Sequence, residues 1–183
     1  RGVGDVYKRQ EYIQTVIEAM QENKVLMIEY QPFYGHKSTL HIQPYAMKVY
    51  HQRWYILGYL KELEGIRNIA LDRTLKMELT AETFRYPNNF DAEQYYSNTA
   101  GIFVNENLKP QKVVVRAYGI HVEYMRSLPL HHSQEEIECK DQQYADFQYC
   151  LCLTPELTSQ LLAMGEKIEV LEPKELRKEI KNR

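Results

Sequence analysis

The sequence predicts an α+β protein of two parts, a small antiparallel β-barrel followed by a ferredoxin-like βαββαβ domain. Three observations carry that expectation. Between Val25 and Leu79 at least five short strand-like runs follow one another with tight turns and no long helix among them, which favours a small antiparallel barrel over a doubly wound sheet. Beyond residue 111 the order becomes strand, helix, strand, strand, helix, strand, the split βαβ arrangement. Residues 85–111 between them are rich in Asn, Pro and Tyr with weak periodicity and read as a connector carrying at most one short helix.

The first ten residues, RGVGDVYKRQ, show neither helical nor strand periodicity and lack an initiator methionine. They resemble translated adaptor read-through at the end of an assembled environmental sequence, or a frayed terminus, so residues 1–10 are expected to be non-native or disordered. From Glu11 the pattern turns regular. Ile13, Val16, Ile17 and Met20 recur at helical spacing with Gln14, Glu18 and Gln21 between them, predicting an amphipathic helix over 11–23 that leads into the barrel domain, 11–84. VLMIEY (25–30) is strand-like and stops at QPFYGH, where Pro32 and Gly35 supply turn chemistry. Residues 38–50 alternate less cleanly, RWYILGYL (53–60) continues as strand, and IRNIAL (66–71) and TLKMEL (74–79) complete the set. Alternation along 53–59 places Trp54, Ile56 and Gly58 on one face, with Trp54 and Ile56 read as core, and Arg53, Tyr55, Leu57 and Tyr59 on the other.

In the second domain, 112–183, strands are expected at 112–118, about 133–139, 143–153 and 167–171, and helices at 119–128, 155–164 and from Pro173. Thr154 is the N-cap of the second helix, Pro155 its first helical residue and Gly165 its C-cap. Along ADFQYCLCLT, Ala145, Phe147, Tyr149, Leu151 and Leu153 share the core face, while Asp146, Gln148, Cys150 and Cys152 share the other.

With 44% hydrophobic and 26% charged residues the chain is an ordinary globular protein. Its formal net charge of −2 gives no general attraction to nucleic acid, so any basic site must be local. Cys139, Cys150 and Cys152 form an odd count without framework spacing, as expected of reduced thiols. No apolar run approaches the roughly 20 residues that cross a bilayer, and no leader pattern opens the chain. A cytoplasmic protein with no membrane partner is expected. Cys150-Leu151-Cys152 is not a zinc spacing. His131 and His132, with Cys139, Glu135 and Glu136 nearby, offer no nucleophile and base pair, and there is no phosphate-cradling glycine loop or paired-carboxylate motif. No catalytic residue, metal or cofactor is therefore expected.

One local site stands out. No acidic residue occurs between Glu29 and Glu62, yet Lys37, Lys48, Arg53, Lys61, His36, His41 and His51 fall inside that window. Cations beside aromatic faces can hold an anionic, planar ligand by charge-assisted hydrogen bonds and stacking. The plainer reading is a solvated basic face over half-buried Trp54 and Tyr55.

The run IQPYAMKVYHQRWYILGY resembles the core of the WYL domain, whose Trp-Tyr-Leu triplet reads Trp54-Tyr55-Ile56 here. Pro44 and Tyr45, the arginine before the triplet, Gly58-Tyr59, and IRNIALDRT with Arg67, Asp72 and Arg73 also match. The tail SQLLAMGEKIEVLEPKELRKEI is similar to the C-terminal extension that commonly follows that domain. The resemblance implies an Sm-like, SH3-type barrel that senses a nucleotide or single-stranded nucleic acid in a bacterial transcription regulator, usually behind an N-terminal helix-turn-helix. No such motif precedes the barrel in these residues, so a part that contacts DNA would lie upstream of Glu11 or be absent, and a second copy of the chain is a further expected partner. Arg67 and Arg73 match the family's recurring arginines and Arg53 lies in the triplet's own strand, whereas His41 and Lys37 are candidates from charge alone. Arginines clamp phosphate bidentately, Tyr45 and Tyr55 offer stacking faces or hydroxyls, and Asp72 orients an arginine. Arg53, Arg67 and Arg73 are expected to converge with Tyr45 or Tyr55. The alternative is a protein-interaction module with no small ligand.

Overall fold

The computed structural model describes residues 3–140 and 143–183, which form two compact units dividing between Ala92 and Glu93. Both units are mixtures of helix and antiparallel sheet. Among the described residues no helix is long and apolar enough to cross a membrane.

The first unit opens with α1 (Val3–Glu22), which begins well before the expected Glu11. Residues 1 and 2 lie outside the described part. Gly4, Tyr7 and Gln10 of the extra turns are exposed, because a helix once nucleated propagates beyond its apolar stripe. Asn23, left-handed at φ 53°, ends it. Five strands follow: β1 (Lys24–Tyr30), β2 (Ser38–Tyr50), β3 (Arg53–Leu60), β4 (Gly65–Ala70) and β5 (Thr74–Thr83), with 3-10 turns at Lys61–Leu63 and Leu71–Arg73. They form one antiparallel sheet in the order β4-β3-β2-β1-β5. No ladder joins β4 to β5 among the described residues, so the five strands form one open antiparallel sheet, where the sequence suggested a small antiparallel barrel.

Tyr12, Val16 and Ala19 of α1 seal one sheet face, packing with Leu26, Ile28, Ile42, Ile56, Ile69 and Leu71. The Tyr12 hydroxyl donates to the Leu75 carbonyl at 2.9 Å, clasping the helix to β5. Ile56 is fully buried and Trp54 half-buried against this core, as alternation predicts. The opposite face is covered as well. Leu57 is fully buried, and Tyr45 sits in a ring cluster with Phe84, Tyr86 and Phe90, at centroid distances of 5.9, 5.3 and 5.1 Å. The imperfect alternation of residues 38–50 has a physical cause: the register slips between Pro44 and Ala46, a bulge that leaves Pro44 and Tyr45 both buried. Opposite it, β2 and β3 approach closely at Gly58, where a Cβ would run into the Gln43 carbonyl.

The second unit starts within α2 (Ala92–Tyr96) and continues as β6 (Gln111–Tyr118), α3 (His121–Ser127), β7 (Glu135–Lys140), β8 (Tyr144–Leu151), α4 (Pro155–Met164), β9 (Ile168–Glu172) and α5 (Lys174–Lys181). Its sheet order is β7-β8-β6-β9, all neighbours antiparallel. The Leu157 N–H donates to Thr154 Oγ1 at 3.2 Å, Pro155 opens α4, and Gly165 ends it at φ 58°, which meets all three expectations. Ala145, Phe147, Tyr149 and Leu151 are buried on the core face. Two residues assigned to the open face are buried instead. Asp146 forms a two-pronged ion pair with Arg116 (2.8 and 3.0 Å), and Cys152, just past the strand, donates its backbone N–H to Asn98.

The segment expected to be a connector is therefore shared. Tyr86 and Phe90 cap the first sheet, while Thr99, Ala100 and Ile102 are buried in the second unit. Glu156 accepts the Phe103 N–H at 2.8 Å, and the Ser97 carbonyl accepts from His132 Nε2 at 2.7 Å. Beside it His131, 9% exposed, takes the Ser133 N–H on Nδ1, which puts the neutral ring's proton on Nε2. That nitrogen is buried without a partner.

Two outcomes follow from these contacts. Gly58→Ala should lower unfolding free energy by about 1–3 kcal/mol, the usual cost of overpacking, read by urea denaturation against wild type. Burial, then the neighbouring His132, holds the His131 pKa below the ordinary 6.5. The unfolded chain thus binds the proton more readily, so His131's contribution is full above that value and is lost as pH falls through it. Melting temperature should drop as pH falls through and below the ordinary histidine value of 6.5, and His131→Asn should flatten that drop.

Candidate anion-binding site

The 3-10 turn Leu71–Arg73 links β4 to β5, and buried Leu71 pins it to the core. The Arg73 carbonyl accepts the Gln31 N–H at 2.9 Å, which ties down the loop between β1 and β2. Within that loop the Gln31 side-chain amide donates to the carbonyls of Pro32 and Gly35, both at 3.2 Å, and Gly35 turns the chain at φ 114°, a backbone conformation that favours glycine. The closure sets Phe33 over Arg73, whose guanidinium carbon lies 3.7 Å from the ring centroid. Arg53, the first residue of β3, approaches the same ring at 6.0 Å. It enters its strand from a two-residue turn in which His51 and Gln52 are both left-handed, at φ 49° and 63°.

Tyr30, at the end of β1, accepts the Ala70 N–H on its hydroxyl at 3.4 Å. Burial raises its pKa, with Tyr55 adding to the effect, while the Ala70 hydrogen bond and the positive charge of Arg73 pull the other way. Tyr30, Tyr55, Arg73, Arg53 and Phe33 thus form one cluster. Asp72 is its counter-charge, with Oδ2 3.8 Å from Arg53 Nε. Arg73 has no carboxylate partner among the described residues, and its Nε is buried without an acceptor.

The structure brings together only part of what the sequence nominated. Arg67 pairs across the strands with Gly58, and so faces the side of Ile56, away from Arg53 and Tyr55. Its Nη1 folds back onto the Ile66 carbonyl at 2.8 Å, so the expected convergence of three arginines reduces to two. Tyr45 is enclosed by its ring neighbours and gives its hydroxyl hydrogen to Gln43 at 2.9 Å, leaving no face for stacking. Burial, then Tyr59 and Tyr86, raises its pKa. His41 is held by Glu62, which accepts its backbone N–H at 2.9 Å and contacts Nδ1 at 2.5 Å. Burial pushes the Glu62 pKa up, but these His41 contacts outweigh it and the net shift is downward. Lys37 lies 3.5 Å from Glu29. The acid-free window is thus partly neutralised by the two glutamates that bound it.

Phe33 and Tyr30 were not anticipated. A readable signal existed: Phe33-Tyr34 lies between Pro32 and Gly35, in a turn too tight to bury two rings, and the residues are 63% and 95% exposed. Among the described residues no group of His, Cys, Asp or Glu could hold a metal ion.

The WYL domain profile matches residues 11–79 and the WCX domain profile residues 109–183. The chain thus carries a WYL domain followed by a WCX domain. The cluster around Arg73 lies wholly inside the WYL match, and the WCX match takes in all four strands of the second sheet. Among solved structures the chain is similar to proteasome accessory factor B/C (PafBC) of Arthrobacter aurescens, at 17% identity over 92% of this chain and 25% of that one, TM-score 0.45. It is also similar to a CRISPR Cas-related protein, at 12% identity over 96% of this chain and 49% of that one, TM-score 0.52. At such identities the second likeness is one of fold alone. The chain spans a quarter and about half of these two proteins' lengths. No curated protein matches it.

Proposed function

We propose that this chain is the ligand-sensing regulatory part of a bacterial transcription regulator, and that its WYL domain binds an anionic nucleotide or single-stranded nucleic acid at the Arg73 cluster. The carrying observation is Arg73 itself, a cation without a carboxylate or an Nε acceptor among the described residues, its Nε being buried. Buried donors are nearly always paired, and a phosphate oxygen would complete this one while Arg53 and the hydroxyls of Tyr30 and Tyr55 supply further donors. The strand order β4-β3-β2-β1-β5 with its 3-10 turn before β5 supports an open Sm-like, SH3-type barrel, and the order β7-β8-β6-β9 supports a ferredoxin-like extension.

In this reading the protein works in the cytoplasm without catalysis. Ligand binding favours one arrangement of the sensing domain, and that population shift biases a helix-turn-helix elsewhere in the full protein, which contacts DNA. Lys37, His41 and Arg67 serve at most as a peripheral field, the first two because carboxylates already hold them.

Titration with short single-stranded oligonucleotides tests the site. Arg73→Ala should weaken binding by about 1.5–3 kcal/mol, the worth of a hydrogen bond to a charged group, with melting temperature close to wild type. Arg67→Ala, on the other face, should bind like wild type. Affinity should also fall steeply with salt, whereas an apolar protein interface would respond little. Equal binding by all three proteins would remove the support for this site.

A further inference from the structure

Phe33 is placed in a way that packing does not explain. Arg73 covers the ring at 3.7 Å and Arg53 stands farther off at 6.0 Å, yet 63% of the residue is exposed, so much of the ring meets solvent. Tyr34 beside it is 95% exposed. Two adjacent solvated rings contribute almost nothing to a core, and the backbone bond from Gln31 to Arg73 with the amide closure onto Pro32 and Gly35 holds the loop that presents them. A guanidinium that meets a ring with its face carries its N–H donors at its edge, so Arg73 can serve the ring and an anion in the same place. An aromatic face and cationic donors side by side match the two halves of a nucleotide, a planar base and a phosphate.

We propose that Phe33 is a base-stacking seat. A nucleobase lies on the ring face turned away from Arg73 while Arg73 and Arg53 hold the adjoining phosphate, and Tyr34 stands next in line for a neighbouring base. The inference rests on the anionic-ligand reading above and adds the planar half of the ligand to it.

The full chain is titrated with two probes, a short oligonucleotide carrying one 2-aminopurine and inorganic tripolyphosphate, which has charge but no base. Phe33→Leu keeps apolar bulk without a π face, and because the side chain is largely solvated the variant folds. It should bind the oligonucleotide about tenfold more weakly and lose quenching of 2-aminopurine fluorescence, while losing distinctly less affinity for tripolyphosphate. Phe33→Trp should restore both affinity and quenching. A nucleoside monophosphate with the same dependence on Phe33 supports the same seat and identifies a free nucleotide as the source. Equal weakening of both probes in Phe33→Leu, or unchanged oligonucleotide binding, overturns the seat. Wild type that binds tripolyphosphate but no oligonucleotide also overturns the seat and leaves the anion site standing. Wild type that binds neither probe overturns the site and the seat together.

Discussion

The geometry of the cluster depends on the curl of one strand, β2. Its thirteen residues pair with β1 along the first part and with β3 along the second. Were it straight, its ends would lie about 40 Å apart at roughly 3.3 Å per residue. Tyr30 pairs with Ser38 at one end and Arg53 with Tyr50 at the other, yet Arg53 and the loop that follows Tyr30 meet at the Phe33 ring. Only a strongly bent strand reconciles these facts. The register slip between Pro44 and Ala46, together with the missing Cβ at Gly58, supplies the local means. Pro44 suits the bulge because it has no N–H to withhold from the ladder.

Arg73 and Arg116 each lie within 4 Å of an aromatic ring centroid, and their difference is instructive. Arg116 lies 3.9 Å from the Tyr144 centroid and also grips Asp146 with two hydrogen bonds, an arrangement that raises its pKa through that carboxylate. It is complete, and its role is structural. Arg73 has the ring but, among the described residues, no carboxylate. A protein that settles one such arginine fully in its second unit leaves the other unsettled in the domain where a ligand is expected, and desolvated donors without acceptors are costly enough that they rarely persist without a use.

What the sequence made readable was local. The half-buried Trp54 beside fully buried Ile56, the Thr154-Pro155 start of α4 and its Gly165 end all depend on neighbours within a few positions, where periodicity and capping chemistry act. What it hid was long-range. Glu62 reaches across to His41 and Asp72 to Arg53, so an acid-free stretch of sequence is not an acid-free region of space. Arg67 looked equivalent to Arg73, but the pairing register turned it to the other face. Tyr45 looked available because nothing in its own strand announces that Phe84, Tyr86 and Phe90 will enclose it.

The sharing of residues 85–111 between the units bears on how this protein could be divided or recombined with others. A cut at residue 85 would strip Tyr86 and Phe90 from the aromatic lid of the first sheet, and a cut at 111 would leave the second unit without buried Ile102 and without the Phe103 N–H that Glu156 accepts. Each half therefore carries its own portion of what reads as linker, and the seam where neither loses a buried side chain is narrow, lying near Asp91 to Glu93. A domain exchange designed from the family boundaries alone, at 79 and 109, would discard packing that both halves need.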